Sequence, residues 1–155
     1  MSNDPLLLLT QVFIASAVWM FGLWLIQRKQ HNASLADAGW CAGLIGAVMW
    51  YALMAEGEPA RRLLVALMIG LYGLRLGAYV LFDRVIGKQE DPRYRSMRRR
   101  WGRREPALML AYFQLQAVTI TVFSLPPLLV MQNQRPGFSL WELLGVMLWV
   151  VAVTG

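Results

Sequence analysis

The sequence has one cysteine, Cys41, and one histidine in 155 residues. It therefore forms no internal disulfide and offers no Cys/His spacing for a structural zinc site. Charge is scarce as well: 15% of residues are charged, against about a quarter in an average soluble chain. No Gly-rich dinucleotide fingerprint follows a strand, and there is no P-loop, nucleophile elbow or metal-ligand helix. Internal repeats, low-complexity tracts and soluble linkers are missing too. What the chain does have is apolar residues, 57% of the total, gathered in long blocks. That excludes an ordinary water-soluble domain and intrinsic disorder. A net charge of +6 would point to nucleic acid in a soluble protein, but here it has to be mapped against the apolar blocks first.

A hydrocarbon core about 30 Å thick needs roughly 20 apolar helical residues. Residues 5–26 meet this without a charge, and Pro5 suits a first helical turn. A signal peptide is the competing reading, with Ala15-Ser16-Ala17 as its cleavage site. No Lys or Arg precedes the block, however, and the apolar run continues past that site, which favours a retained helix. Further blocks cover residues 35–55, 63–82 and 106–131, with Pro126-Pro127 expected to bend the last of these or end it early. A fifth starts near Leu140 and stops at Gly155 with no charged anchor, as a helix cut short. The expected fold is an all-α, multi-pass transmembrane bundle of four complete helices and a shortened fifth, forming one domain over residues 1–155.

The polar segments between blocks differ in their basic residues. Arg28 and Lys29 follow the first helix, Arg61 and Arg62 the second, and Arg135 the fourth, while nine basic residues fall in the segment 83–105. The positive-inside rule places the richest segments in the cytoplasm, giving eleven basic residues inside against three outside. The N-terminus is then non-cytoplasmic and the basic loop 83–105 cytoplasmic.

The third helix carries Gly70-Leu71-Tyr72-Gly73-Leu74-Arg75-Leu76-Gly77-Ala78-Tyr79. Helical spacing puts Gly70, Gly73 and Gly77 within about 60° on one face, and Tyr72, Arg75 and Tyr79 within about 60° roughly opposite. The glycine face admits a close neighbouring helix. The other face is costly in lipid, because a guanidinium there needs a wet cavity or an anionic partner. Arg75 either serves a site or merely snorkels or pairs with an acid.

The second helix opens with Asn32-Ala33-Ser34-Leu35-Ala36-Asp37-Ala38-Gly39-Trp40. Ser34 or Asp37 is either an N-cap or, for Asp37, a group reaching the basic region; Trp40 is either an interface anchor or a site wall. In the fourth helix Tyr112, Gln116, Thr119 and Phe123 share a stripe, where Gln116 serves as interhelical glue or as a ligand contact. The basic loop fits anionic lipid or, given its clustered arginines, a phosphate-bearing cofactor. Nucleic acid is not expected at a patch pinned to a bilayer.

Several of these motifs together resemble a known family. Asp37 three residues before Trp40, Gly73-Leu74-Arg75, Glu90-Asp91-Pro92-Arg93-Tyr94 with Arg98, Trp101 and Gly102, and Gln116 followed by Ser124-Leu125-Pro126 are similar to the N-terminal half of a mostly bacterial group of uncharacterised multi-pass proteins related to steroid 5α-reductases. The resemblance covers nearly the whole chain. It implies a bacterial inner-membrane enzyme that moves hydride from NADPH to a conjugated double bond beside a ketone in a hydrophobic substrate. Tyr72 would hydrogen-bond the carbonyl. Arg75, Arg93, Tyr94, Arg98 and Asp37 would hold the cofactor, and Trp40, Tyr79 and Gln116 would line the substrate cavity, with no metal. The Gln-Glu pair that steroid reductases carry within the second helix is absent here, where only Asp37 and Glu56 mark the helix ends. That argues against a steroid as substrate. The resemblance also implies a C-terminal half that closes around the cofactor, which would follow Gly155. Two other readings stay open: a non-enzymatic membrane protein that docks anionic lipid or a partner through the loop, and a membrane methyltransferase acting on isoprenoid or lipid.

Overall fold

The computed structural model describes residues 4–154. The helices in chain order are α1 Pro5–Gln30, α2 Leu35–Met54, α3 Pro59–Val80, α4 Pro92–Trp101, α5 Glu105–Met131 and α6 Leu140–Thr154, with no strand among the described residues. The runs containing α1, α2, α3 and α5 are each long and apolar enough to cross a membrane, and the chain is a helical membrane bundle. The expected end of the last helix, Gly155, lies outside the described residues.

Three helices begin on the same device. Asp4, Glu58 and Asp91 each precede a proline, and each turns its carboxylate back to accept from a backbone N–H: that of Leu6 (3.0 Å), Arg61 (2.8 Å) and Arg93 (2.8 Å). The carboxylate satisfies an orphan donor, and the proline fills the position where an N–H would go unpaired. Because Glu58 caps α3, that helix starts before the expected residue 63, and Arg61 and Arg62 lie in its first turn rather than in a loop. At the other extreme α1 runs past residue 26 to Gln30, where Arg28 and Lys29 complement the helix's negative end. His31 stops it in the left-handed region at φ 52°.

The segment 83–105 is not a continuous loop. A π-helical turn, Leu81–Val85, prolongs α3; α4 follows, and a short 3₁₀ turn, Gly102–Arg104, leads into α5. Of the two effects expected of Pro126-Pro127, an early end to the fourth long helix does not occur, since α5 continues to Met131. Pro127, Leu128 and Met131 are buried in the core, and Ser124 just before them bonds the buried Tyr51 hydroxyl at 3.0 Å. Packing holds the turn that the missing N–H groups would loosen.

α5 packs against both α1 and α2, and α3 packs on α2. Met109, Phe113, Ala117 and Ile120 form the fully buried stripe of α5, facing Met20 of α1 and Val48 and Tyr51 of α2 in one core. Lipid is as apolar as these side chains, so their association rests on close fit rather than on escape from water. Gly73 supplies part of that fit: a Cβ there would sit 2.7 Å from Ile45 of α2. A Cβ on Gly77 would meet Cys41 at 3.2 Å, whereas Gly70 faces open space, so only two of the three aligned glycines serve the α2 contact.

At the end of the bundle away from α4, Arg61 is 2% exposed. Its guanidinium donates to the carbonyls of Asn133 (2.9 Å), Arg135 (2.9 Å) and Gly137 (2.6 Å) and pairs with Glu142 of α6. Arg62 donates to the carbonyls of Ala52 and Ala55, covering the C-terminal end of α2.

Candidate functional site

The opposite end of the bundle is built by tying α4 down. Glu90 accepts from the backbone N–H of Ala33 at 2.8 Å and from Arg98 Nε at 3.0 Å. Ser34 Oγ accepts from the Asp91 N–H at 2.9 Å. The Ser34 side chain therefore fixes the segment entering α4 rather than capping its own helix. Arg98 also pairs with Glu105 and donates to the buried Gln27 Oε1 at 2.6 Å. These bonds lock the α1–α2 turn, the approach to α4 and the start of α5 into one unit.

A cleft of about 330 Å³ lies under that unit. Asp37, Trp40 and Cys41 of α2, Leu76, Tyr79 and Val80 of α3, Arg84 of the π turn, Arg93 of α4 and Gln116 of α5 line it. Five residues singled out from the sequence, Asp37, Trp40, Tyr79, Arg93 and Gln116, thus meet around one space.

A hydrogen-bonded chain runs behind the cleft, joining the lining residues Asp37, Gln116 and Trp40 through Tyr94, Tyr112 and Thr119. Tyr94, 1% exposed, donates to Asp37 Oδ1 at 2.7 Å. Its only proton is then spent, so at the longer 3.3 Å contact the Tyr112 hydroxyl is the donor to Tyr94. Gln116 Nε2 donates to Tyr112 at 3.0 Å, Thr119 approaches the Gln116 side-chain carbonyl at 3.2 Å, and Trp40 Nε1 donates to Thr119 at 2.9 Å. The chain leaves α2 at Asp37 and returns to it at Trp40, one turn on. Gln116 bonds within its own helix and orders the wall rather than bridging directly to another helix.

Charge is balanced but open. Arg93 spans Asp37 (3.1 Å) and Asp91 (3.2 Å), and Arg84 lies 3.7 Å from Asp91. The hydrogen bond from Arg93 holds the Asp91 carboxyl below its ordinary range and, reciprocally, raises Arg93. Burial, reinforced by Tyr112 and Asp37, pushes the Tyr94 phenol up, so it stays a neutral donor. The Arg84 and Arg93 side chains are still 44% and 60% exposed, leaving guanidinium edges free to meet an anion.

Tyr72 and Arg75 stand apart from this lining. Tyr72 is exposed, one turn before Leu76 and about 10 Å along the helix from Tyr79. The Arg75 guanidinium donates to the carbonyl of Val153 in α6, and no carboxylate pairs with it among the described residues. Arg98 is held within the α4 tie. Sequence reading missed Arg84, because counting 3.6 residues per turn does not anticipate the π turn that carries it. It also missed Cys41, Leu76 and Val80, whose apolar character hid them among core residues.

Residues 23–155 match the profile of the family described as a protein of unknown function, DUF1295. The chain belongs to that family. The match includes α2 to α6 and every residue lining the cleft, so the DUF1295 domain contains the whole candidate site. No curated protein and no solved structure matches the chain.

Proposed function

We propose that this DUF1295 protein is a membrane-embedded, NADPH-dependent reductase of a conjugated enone in a lipid-like substrate, and that it lies in the bacterial cytoplasmic membrane with its N-terminus outside. The observation that carries this reading is the convergence of Asp37, Trp40, Tyr79, Arg93 and Gln116 on one cleft at the basic end of the bundle, the end that the positive-inside rule would turn to the cytoplasm. A buried, hydrogen-bonded wall and two half-open arginines at a bilayer surface suit a ligand with an anionic head and a flat apolar part.

The donor set fits the phosphate-bearing end of such a cofactor. Arg93, with Arg84 beside it, would hold phosphate, while Asp37 and Tyr94 keep Arg93 in place. The volume is at the low end for small-molecule sites, which run from about 300 to 1,000 Å³, so the described residues enclose one end of a dinucleotide rather than all of it. When bound, NADPH supplies hydride. Tyr72, on α3 with the cleft residues Leu76 and Tyr79 but deeper in the bilayer, would donate a hydrogen bond to the substrate carbonyl as charge develops on its oxygen. Arg75 would supply positive charge beside it.

Loss of enone absorbance with NADPH oxidation, followed in detergent micelles, tests the reading. Tyr72→Phe should retain NADPH binding while turnover falls by about 10²–10³, the usual effect of losing one oxyanion donor. Binding of S-adenosylmethionine in place of NADPH would overturn it in favour of methyl transfer.

A further inference from the structure

The structure divides the nine basic residues of the α4 region into two sets. Arg84, Arg93 and Arg98 are engaged by Asp91, Asp37, Glu90 and Glu105. No ion pair among the described residues engages Lys88, Arg95, Arg99, Arg100, Arg103 or Arg104, and all six are exposed.

Helix geometry sorts the two sets by face. Tyr94, Met97, Arg98 and Trp101 fall on one side of α4, where Tyr94 is buried and Met97 and Trp101 pack against the core. Arg95, Arg99 and Arg100 point away from that side. Because α4 connects two membrane-spanning helices through short segments and is tied to the α1–α2 turn, it cannot rise far from the bilayer surface. Its unpaired arginines therefore lie at headgroup depth.

We infer that the outer face of α4 and the turn after it, centred on Arg95, Arg99, Arg100, Arg103 and Arg104, is a docking surface for acidic phospholipid headgroups of the protein's own membrane. Guanidinium groups offer paired donors that match phosphate oxygens, and each basic side chain near an anionic surface contributes roughly a five-fold preference. A water-borne polyanion is a poorer match, since the surface lies against headgroups held at high local concentration. The same helix carries Arg93 into the cleft, so headgroup binding outside would steady the cleft roof inside. The inference does not depend on what the cleft binds.

The test is lipid selectivity of the full chain reconstituted in bilayers of phosphatidylcholine with a minor fraction of phosphatidylglycerol. Spin-labelled lipids of each headgroup report the preference. The wild type should prefer the phosphatidylglycerol probe, and the preference should shrink at high salt. The triple variant Arg95→Gln/Arg99→Gln/Arg100→Gln should lose at least about ten-fold of it, while Arg95→Lys/Arg99→Lys/Arg100→Lys retains most of it. An unchanged preference in the glutamine variant, or equal loss in both variants, overturns the inference. Recovery of each variant as a monodisperse helical protein, checked by circular dichroism, separates loss of docking from loss of fold.

Discussion

The Tyr94 hydroxyl donates to Asp37 Oδ1 at 2.7 Å and thereby fastens α4 onto the first turn of α2. Asp37 accepts simultaneously from Arg93, so one carboxylate sets both the buried wall of the cleft and its charged rim. Removing the hydroxyl leaves a partly buried carboxylate short of a donor, at a typical cost of about 1–3 kcal/mol. Tyr94→Phe should therefore lower the unfolding midpoint in detergent. Combined with Tyr112→Phe it should cost less than the two single effects added, because both belong to one hydrogen-bonded chain. Strict additivity would show that the chain does not act as a unit.

The Arg61 clasp predicts a localised effect. Arg61 joins the α5–α6 connection to α3 through three backbone carbonyls and Glu142, and α6 itself has no buried residue. Arg61→Ala should loosen this connection, because it removes the donor to those carbonyls and leaves Glu142 without its cation. Hydrogen exchange should accelerate across 132–154 while 105–131 stays protected. Uniform acceleration over the whole chain would contradict the clasp.

Gly73 and Gly70 make a matched pair. Gly73→Leu must push against Ile45 and should destabilise by about 1–3 kcal/mol. Gly70→Ala, which faces open space, should be neutral or slightly stabilising. Equal effects from the two would mean that α3 does not turn its Gly73 face to α2.

Asp91 gives the α4 end an acid sensitivity. Its folded pKa is depressed, chiefly by the hydrogen bond from Arg93. The associated stability is fully present above its unfolded value of about 3.9 and is lost as pH falls through the lower folded value. Trp101 fluorescence should report loosening of α4 in strong acid but not between pH 5 and 8. Asp91→Asn should remove that transition. A transition that persists unchanged in the variant would assign it to another carboxylate.

The membrane spans were legible because blocks of apolar residues have no other stable setting. Their limits were less so, although Asp4-Pro5, Glu58-Pro59 and Asp91-Pro92 carried a readable start signal in each case. The burial of Pro127 and Met131 depends on neighbours distant in sequence, as does the convergence of the carbonyls of 133, 135 and 137 on Arg61, so neither could be counted from local pattern. In the cleft, Asp37, Trp40 and Gln116 were visible as polar or amphipathic residues in apolar surroundings. Arg84 was hidden by a change of helical period, and Tyr112, legible as part of the Gln116 stripe, showed its tie to Tyr94 only in the folded chain.

Energy transfer from tryptophan to NADPH tests the central claim most directly, because Trp40 lines the cleft itself. The account predicts saturable transfer in the wild type, loss of most of it in Trp40→Phe, and binding weakened about ten- to a hundred-fold in Arg93→Gln, the expected loss for a charge-assisted contact. Saturable NADPH binding that is indifferent to both substitutions, or no binding at all, would contradict a cofactor site in this cleft.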